Sequence, residues 1–357
     1  MLLTKAGYKY KYKDCIGITA FLLAILTFAC NKKREDRKVE NSFYYWKSIL
    51  KLTDFEKQRL DSLNIKTLYI KFFDVGWSDE AQTPAPLAKL QANNFKLPQK
   101  FNVIPTVFIT NECIQKIHSS QIVVLANNIF SLVHEIINSN GFNNIKEIQM
   151  DCDWTVSTRS NYFLLLEKIN ALWKNTAIPI SATIRLHQIK FLSKTGVPPV
   201  DKGLLMCYNM GNLKNPATKN SIIETKELEK YIGNLANYPL PLDVALPLFD
   251  WKVLFRKNVY TGLIENLPDA FFNKSFTLKK DNRFVILKDT LLAGYDFKKG
   301  DVLRDEQSEY NEILSAAGEI NKRLKNTQPR VSLYHLDSVI LKKYTLHELE
   351  TIYNSMR

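Results

Sequence analysis

Ile148-Gln149-Met150-Asp151-Cys152-Asp153-Trp154-Thr155 reads as a strand with one polar face. Side chains along a strand point alternately to its two sides. Gln149, Asp151 and Asp153 therefore share one face, and Met150, Cys152 and Trp154 share the other. Three polar groups on one face of a buried strand need partners or a wet cavity. The segment IPISATIRLH (178–187) repeats the pattern, with Ser181, Thr183, Arg185 and His187 on one face and Ala182, Ile184 and Leu186 on the other.

Six more segments carry the same β-branched, aromatic and apolar signature between polar or turn-forming stretches. They are FYYWKSIL (43–50), KTLYIKFFDV (66–75), FNVIPTVFIT (101–110), GLLMCYNM (203–210), LPLDVALPLF (240–249) and RVSLYHLD (330–337). Helical spacing of apolar residues falls between most of them, over Gln121–Asn138, Tyr162–Trp173, Glu224–Leu235 and Glu309–Leu324. Thr53-x-x-Glu56 and Thr345-x-x-Glu348 are capping boxes, in which each end of the pair satisfies a helix N-terminal amide. Eight strands alternating with helices predict an α/β fold with a parallel sheet, closed as a (β/α)8 TIM barrel. A doubly wound open sheet is the alternative. No glycine-rich phosphate loop follows the first strand, and the chain has only 12 Gly, which weighs against a nucleotide-binding sheet. The gap between the seventh and eighth strands is too long for a plain helical crossover, so a small β-rich insert is expected at about 272–304.

With 45% hydrophobic and 24% charged residues, the 357-residue chain is neither collagenous, nor low-complexity, nor a polytopic membrane protein. Its net charge is +13, from 49 Lys+Arg against 36 Asp+Glu. No Arg-rich helix, zinc-finger spacing or aromatic RNA-binding signature accompanies that excess, so it reads as a solvated basic surface rather than a nucleic-acid site. Such a surface also favours anionic lipid headgroups or acidic glycans.

The N-terminus reads as an address. A Lys-rich segment (1–14) precedes the uncharged apolar run Cys15–Ala29, which at 15 residues is short for a membrane span and suits a signal peptide. Ala29-Cys30 then resembles a bacterial lipobox, with Thr27 where that motif prefers Leu. The expectation is a signal peptide at 1–29, lipidation of Cys30, a charged tether over 30–41 and a barrel over 42–357, held at the bacterial cell envelope by its membrane-inserted lipid. An uncleaved signal anchor is the alternative. Cys113, Cys152 and Cys207 lack metal-site spacing and read as buried thiols.

In a TIM barrel the site lies at the C-terminal ends of the strands. There this chain places Trp46, Asp74 and Trp77, then Gln149, Asp151 and Asp153, then Arg185 and His187, then Tyr208 and Asn209, and finally Trp251. Arg185 can neutralise an aspartate, and two carboxylates two residues apart can then hold different pKa values, as acid–base pairs require. Aromatic faces at a barrel mouth suit the C–H faces of sugar rings. The competing interpretation of the charges is an inert buried network. A metal held by Asp151, Asp153, His187 and His335 ranks low, for want of HxH or HExxH spacing, and no cofactor is expected. Asp243, at the start of its strand, belongs to the bottom of the barrel and to structure.

Met150-Asp151-Cys152-Asp153-Trp154-Thr155 resembles the fourth-strand Asp-x-Asp-x-Glu motif of family-18 glycoside hydrolases, the chitinase-like barrels. Met206-Cys207-Tyr208-Asn209 resembles their sixth-strand Met-x-Tyr-Asp. Leu246-Pro247-Leu248-Phe249, with Trp251 beyond, is similar to their Pro-x-Tyr/Phe segment. The resemblance implies a carbohydrate partner and roles for Asp151, Asp153 and Tyr208. The family's general acid is the Glu, whose place is taken by Thr155, and Asn209 replaces the Asp of the sixth-strand pair. Either Asp153 or another carboxyl (Asp74, Asp250 or Asp337) acts as the acid, or the barrel binds glycan without cutting it. The segments IQMDCDWT, SATIRLHQIK, TGVPPVDKGLLMCYNMG and YPLPLDVALPLFDW resemble a group of exported lipoproteins from Bacteroidetes-type bacteria, which implies a location rather than an activity. Three readings stand: a lipid-anchored glycoside hydrolase-like enzyme with an atypical acid/base set, a non-catalytic glycan-binding lipoprotein, and a structural surface lipoprotein.

Overall fold

Tyr44 and its neighbour Phe43 show how the strands divide inside from outside. Phe43 meets Tyr353 of the last helix edge-on, with ring centroids 6.4 Å apart. The Tyr44 hydroxyl points the other way and donates to Gln149 Oε1 at 2.6 Å, reaching a strand three places away through the interior. The computed structural model describes residues 37–357, apart from 265–266, 268 and 273–274. The expected signal peptide, Cys30 and the tether up to residue 36 lie outside the described residues.

Among the described residues, eight parallel strands follow one another round a closed barrel: β1 (Glu40–Tyr45), β2 (Thr67–Ser78), β3 (Asn102–Ile109), β4 (Ile148–Asp151), β5 (Ile180–Arg185), β6 (Lys202–Met206), β7 (Leu242–Pro247) and β8 (Arg330–Tyr334). β8 closes on β1 with Glu40 opposite Arg330 and Phe43 opposite Leu333. This is the expected (β/α)8 barrel. The strand begins earlier than the tether reading allowed, because polar residues 37–41 find partners. Arg37 donates to the Asn321 carbonyl at 2.9 Å, Asn41 to the Leu63 carbonyl at 3.0 Å, and Glu40 lies 3.3 Å from Arg330.

Three of the four helices expected from apolar spacing sit where it put them. Ser119–Asn140 has the length and hydropathy of a membrane span, but its stripe of Ile122, Ala126, Ile129, Val133 and Ile136 is buried in the core. It stops at Gly141, whose left-handed backbone (φ 64°) closes the helix without a Cβ penalty. Both capping boxes form, at Thr53/Glu56 and Thr345/Glu348. The single helix expected over Glu224–Leu235 is instead a short helix, Thr225–Glu229, followed by a 3₁₀ segment, Ile232–Asn237. Gly233 within it weakens an α-helix by about 1 kcal/mol.

The insert is wider than 272–304. It opens with strand Asp250–Arg256 and closes with Val302–Gln307, which pair antiparallel at the centre of a five-stranded sheet among the described residues. Leu254, Ile264, Phe271, Phe284, Ile286, Phe297 and Leu303 give it a core of its own. Its first hairpin turns at Lys257 and Asn258, with φ 51° and 65°. Two successive positive φ values are the signature of the tight turn that joins twisted strands. A Lys-Asn pair advertises that turn weakly, so the hairpin went unread in the sequence.

At the N-terminal end of the barrel, Asp243 accepts from the Arg330 backbone at 2.9 Å and lies 2.5 Å from Lys202 Nζ. Arg330 also bonds Glu147 at 3.0 Å and the Tyr69 hydroxyl at 2.9 Å. Asp243 is thus part of a buried ionic plug opposite the site.

Candidate functional site

The C-terminal ends of the strands open into a cleft of about 710 Å³. Its floor is polar because the strands' inward faces are polar. Asp151, 1% exposed, ends β4 and accepts a hydrogen bond from Thr183 Oγ1 of β5 at 2.6 Å. Arg185, at the end of β5, donates through Nε to Asp153 Oδ1. Tyr208, just past β6, is buried, and its hydroxyl has no hydrogen-bond partner among the described residues. Beneath these, Gln149 accepts from Tyr44 and from Thr106, at 2.6 and 3.3 Å.

Burial raises the Asp151 carboxyl to about 6, and the neighbouring Asp153 and Asp74 charges add to the rise. Arg185 and the Thr183 hydrogen bond oppose it. Asp151 thus exchanges its proton near neutrality while Asp153, half-exposed, is ion-paired to Arg185. Burial also lowers His335 below its ordinary range, leaving a neutral imidazole at pH 7.

The walls are aromatic. Tyr208 stacks on Tyr334 with centroids 5.2 Å apart, and Phe249 meets Tyr208 edge-on at 5.7 Å. Trp46 packs at 5.6 Å from Tyr334, and Trp251 at 5.2 Å from Phe249. Round the rim lie two ion pairs, Lys47–Asp337 at 2.9 Å and Lys343–Asp250 at 2.5 Å.

The residues expected from sequence divide into three groups. Trp46, Asp151, Asp153, Arg185, Tyr208, Asn209 and Trp251 border the cleft. Gln149 and Asp74 stand behind it. Asp74 pairs with Lys71 at 3.0 Å, and that ammonium lies 5.6 Å from the Trp46 ring centroid, so Asp74 acts on the cleft through Trp46 and through its charge on Asp151. His187 and Trp77 lie elsewhere. The chain enters a helix at Leu186, and the 100° turn per helical residue takes His187 off the β5 face that alternation had assigned to it. Trp77 sits where β2 runs beyond the barrel to pair with Thr83–Leu87, beside a separate hollow of about 290 Å³ shared with Lys116 and His118. Phe108 and Tyr334, which the sequence reading does not name as site residues, and Phe249, named only through the Pro-x-Tyr/Phe resemblance, also border the cleft. Their signal was present: Phe108 lies two residues beyond Thr106, Phe249 ends the segment 240–249, and Tyr334 lies within the segment 330–337.

Thr155 does not border the cleft. It is exposed and its hydroxyl is within hydrogen-bond distance of Ser157 and Thr158, at 2.9 and 3.3 Å. The three cysteines are free and buried, and burial pushes the Cys113 thiol up to about 11. Among the described residues, no group of three or more His, Cys, Asp or Glu side chains is placed to hold a metal.

No family model and no curated protein matches the chain. Solved structures do. A mutant GH18 chitinase from Cycas revoluta, in complex with (GlcNAc)4, aligns at TM-score 0.54 and 11% identity, over 89% of this chain and 100% of its own. The spore cortex-lytic enzyme SleL of Bacillus cereus aligns at TM-score 0.52 and 12% identity, over 90% of this chain and 76% of its own. SleL of Bacillus megaterium aligns at 0.53 and 13%, over 90% and 75%. At such identity the likeness establishes a shared fold alone, the (β/α)8 TIM barrel.

Proposed function

We propose that this protein is a carbohydrate-binding barrel of the glycoside hydrolase type, held at the cell envelope by a lipid on Cys30. The observation that carries the reading is the cleft itself. Aromatic faces from Trp46, Phe249, Trp251 and Tyr334 surround the buried Asp151, the Arg185–Asp153 pair beside it and a Tyr208 hydroxyl with no partner among the described residues. An apolar-walled concavity with a few convergent polar groups is the usual form of a small-molecule site. Stacked rings and fixed hydrogen-bonding groups together suit a pyranose, which has apolar faces and a polar edge.

Binding is favoured over turnover by the fate of the carboxyls. The position of the family's acid is Thr155, outside the cleft. Asp153, Asp250 and Asp337, which border the cleft, are each paired with a cation. A specific observation supports hydrolysis as the second reading. Asp151 holds a proton up to about pH 6 beside the Arg185-bound Asp153, an asymmetry that acid–base chemistry can use.

The purified full chain, mixed with polysaccharides and peptidoglycan fragments, is expected to bind at least one of them and to release no reducing ends. Asp153→Asn, which frees Arg185 from its partner, is expected to weaken binding about tenfold or more, as loss of a charged hydrogen bond does. Release of reducing ends by wild type, abolished in Asp151→Asn, would establish the second reading instead. Neither binding nor release of reducing ends would leave only a structural role.

The envelope location is supported by the Lys-rich segment, the 15-residue apolar run and the Ala29-Cys30 junction. Cys30→Ser is expected to move the protein from the membrane fraction, or to leave it with its signal peptide uncut. A variant that is processed and fractionates like wild type would remove the lipid from the proposal.

A further inference from the structure

We propose that the N-terminal end of the barrel is a docking face for anionic lipid headgroups, and that it holds the cleft turned away from the membrane. The inference rests on the anchoring at Cys30 proposed above and adds to it a surface, a lipid charge and an orientation.

Six of the eight strands, taken consecutively round the barrel from β8 through β1 to β5, are entered past an exposed lysine. These are Lys325, Lys38, Lys66, Lys100, Lys146 and Lys174. The segments that lead into the other two strands, 196–201 and 238–241, carry one exposed charge, Asp201. Of the six lysines, Lys100 alone has an acidic partner among the described residues, Asp61. The missing counter-charges are inside. Glu147 and Asp243 are 2% and 1% exposed and pair with Arg330 and Lys202. The buried plug thus draws the acids inward and leaves a crescent of lysines on the surface. At the cleft end, cations and carboxylates meet in pairs instead, Lys47 with Asp337, Lys116 with Asp79 and Lys343 with Asp250.

An exposed lysine is ordinarily no more than solvated. Here the path of the chain supplies the anion. Arg37 donates to the carbonyls of Asn321 and Leu324, and the Lys38 amide donates to the Thr327 carbonyl at 3.1 Å. The chain is therefore fixed to this same end from residue 37 onward. Seven residues, 30–36, separate Arg37 from Ala29, and they reach at most about 25 Å. A lipid on Cys30 and an uncleaved anchor ending at Ala29 give the same bound. A face kept so close to a bilayer meets it at high effective concentration. Lysines are drawn to an anionic leaflet within a screening length, about 10 Å at 0.1 M salt. Contact through one end of a barrel also sets a direction. The strands run from this face to the cleft, so the cleft opens away from the bilayer.

The experiment uses the full chain, purified in detergent and reconstituted into vesicles of phosphatidylcholine or of an equal mixture with phosphatidylglycerol. A membrane-impermeant amine reagent labels the outward-facing protein, and mass spectrometry reads each lysine. In the anionic vesicles Lys38, Lys66, Lys146 and Lys325 are expected to react about threefold or more slowly than in the neutral ones. Lys214, Lys219 and Lys343, at the cleft end, are expected to react alike in both. The difference should vanish in 1 M salt, where the screening length falls to about 3 Å. Lys66→Glu, Lys146→Glu and Lys325→Glu, combined, change only exposed side chains and leave the anchor in place. The combined variant should still float with neutral vesicles and should lose the protection of Lys38 in anionic ones. Equal reactivity of the four lysines in both kinds of vesicle overturns the docking face. Protection of the cleft-end lysines overturns the orientation. Wild type that does not float with neutral vesicles overturns the anchoring instead. The anionic vesicles then decide the face by themselves, since protection of the crescent there needs no anchor and its absence overturns the proposal as well.

Discussion

Arg330→Met is expected to destabilise the barrel by about 3–5 kcal/mol at pH 7, the usual consequence of removing one partner from a buried ion pair. Arg330 serves Glu147 and Asp243 together, at 3.0 and 3.4 Å, and these carboxylates are 2% and 1% exposed. Lys202 stays with Asp243 at 2.5 Å but reaches Glu147 only at 3.8 Å. Glu147 is therefore the charge left without an adequate partner. The Tyr69 hydroxyl loses the donor it accepts from at 2.9 Å and keeps its own hydrogen bond to Asp243 at 3.3 Å. Urea unfolding of the two proteins measures the difference. Adding Glu147→Gln to the variant should restore part of the loss, since the stranded charge is gone. A loss under about 1 kcal/mol for the single variant, or no recovery in the double, would mean that the plug is hydrated and screened rather than buried.

The plug and the cleft are two ends of one polar interior, and that interior is the feature the sequence displayed most openly. Alternation along 148–155 and 178–187 assigned Asp151, Thr183 and Arg185 to a common interior, where Thr183 bonds Asp151 and Arg185 joins Asp153. Alternation is a local rule, and it fails where the strand stops. It holds for Arg185, the last residue of β5, and misplaces His187 two residues later, because Leu186 has already begun a helix. Trp77, assigned to the mouth by its place just past the expected strand end, fails for the opposite reason: β2 does not stop at the barrel rim but continues to Ser78 in a hairpin. The ion pairs Lys47–Asp337 and Lys343–Asp250 join segments far apart in the chain, and no local pattern encodes their meeting. The same holds for Trp251 and Glu306, whose opposition depends on a register set by the whole insert. Capping boxes lie at the other extreme. Thr53 and Glu56 satisfy each other within four residues, so the sequence contains the entire interaction.

Asp151→Asn is expected to stabilise the protein at pH 7 by about 2–3 kcal/mol while weakening whatever the cleft does. The carboxyl is 1% exposed, and its pKa stands at about 6 against an ordinary 3.8. Each unit of such a shift corresponds to about 1.4 kcal/mol between the two protonation states. The sign follows from which state holds the proton more tightly. Below about pH 4 the group is protonated in both folded and unfolded chains, and its contribution is at its most favourable. As the pH rises toward 6 the unfolded chain releases the proton and the folded chain keeps it, so stability falls. Above 6 the full penalty is in place. An asparagine has nearly the same shape, offers Oδ1 to the Thr183 hydroxyl, and carries no charge to desolvate. Its advantage should therefore be largest at pH 7 and shrink toward pH 4. Urea unfolding of both proteins across that range checks it. A variant less stable than wild type at pH 7, or an advantage that does not change with pH, would sink the account. A penalty of this size at one position is what a functional site stores, since proteins keep destabilising groups where binding or chemistry needs them. The same substitution in the carbohydrate assay thus separates the two readings of the charge cluster. An inert network would gain stability and lose nothing, whereas a site gains stability and loses its ligand.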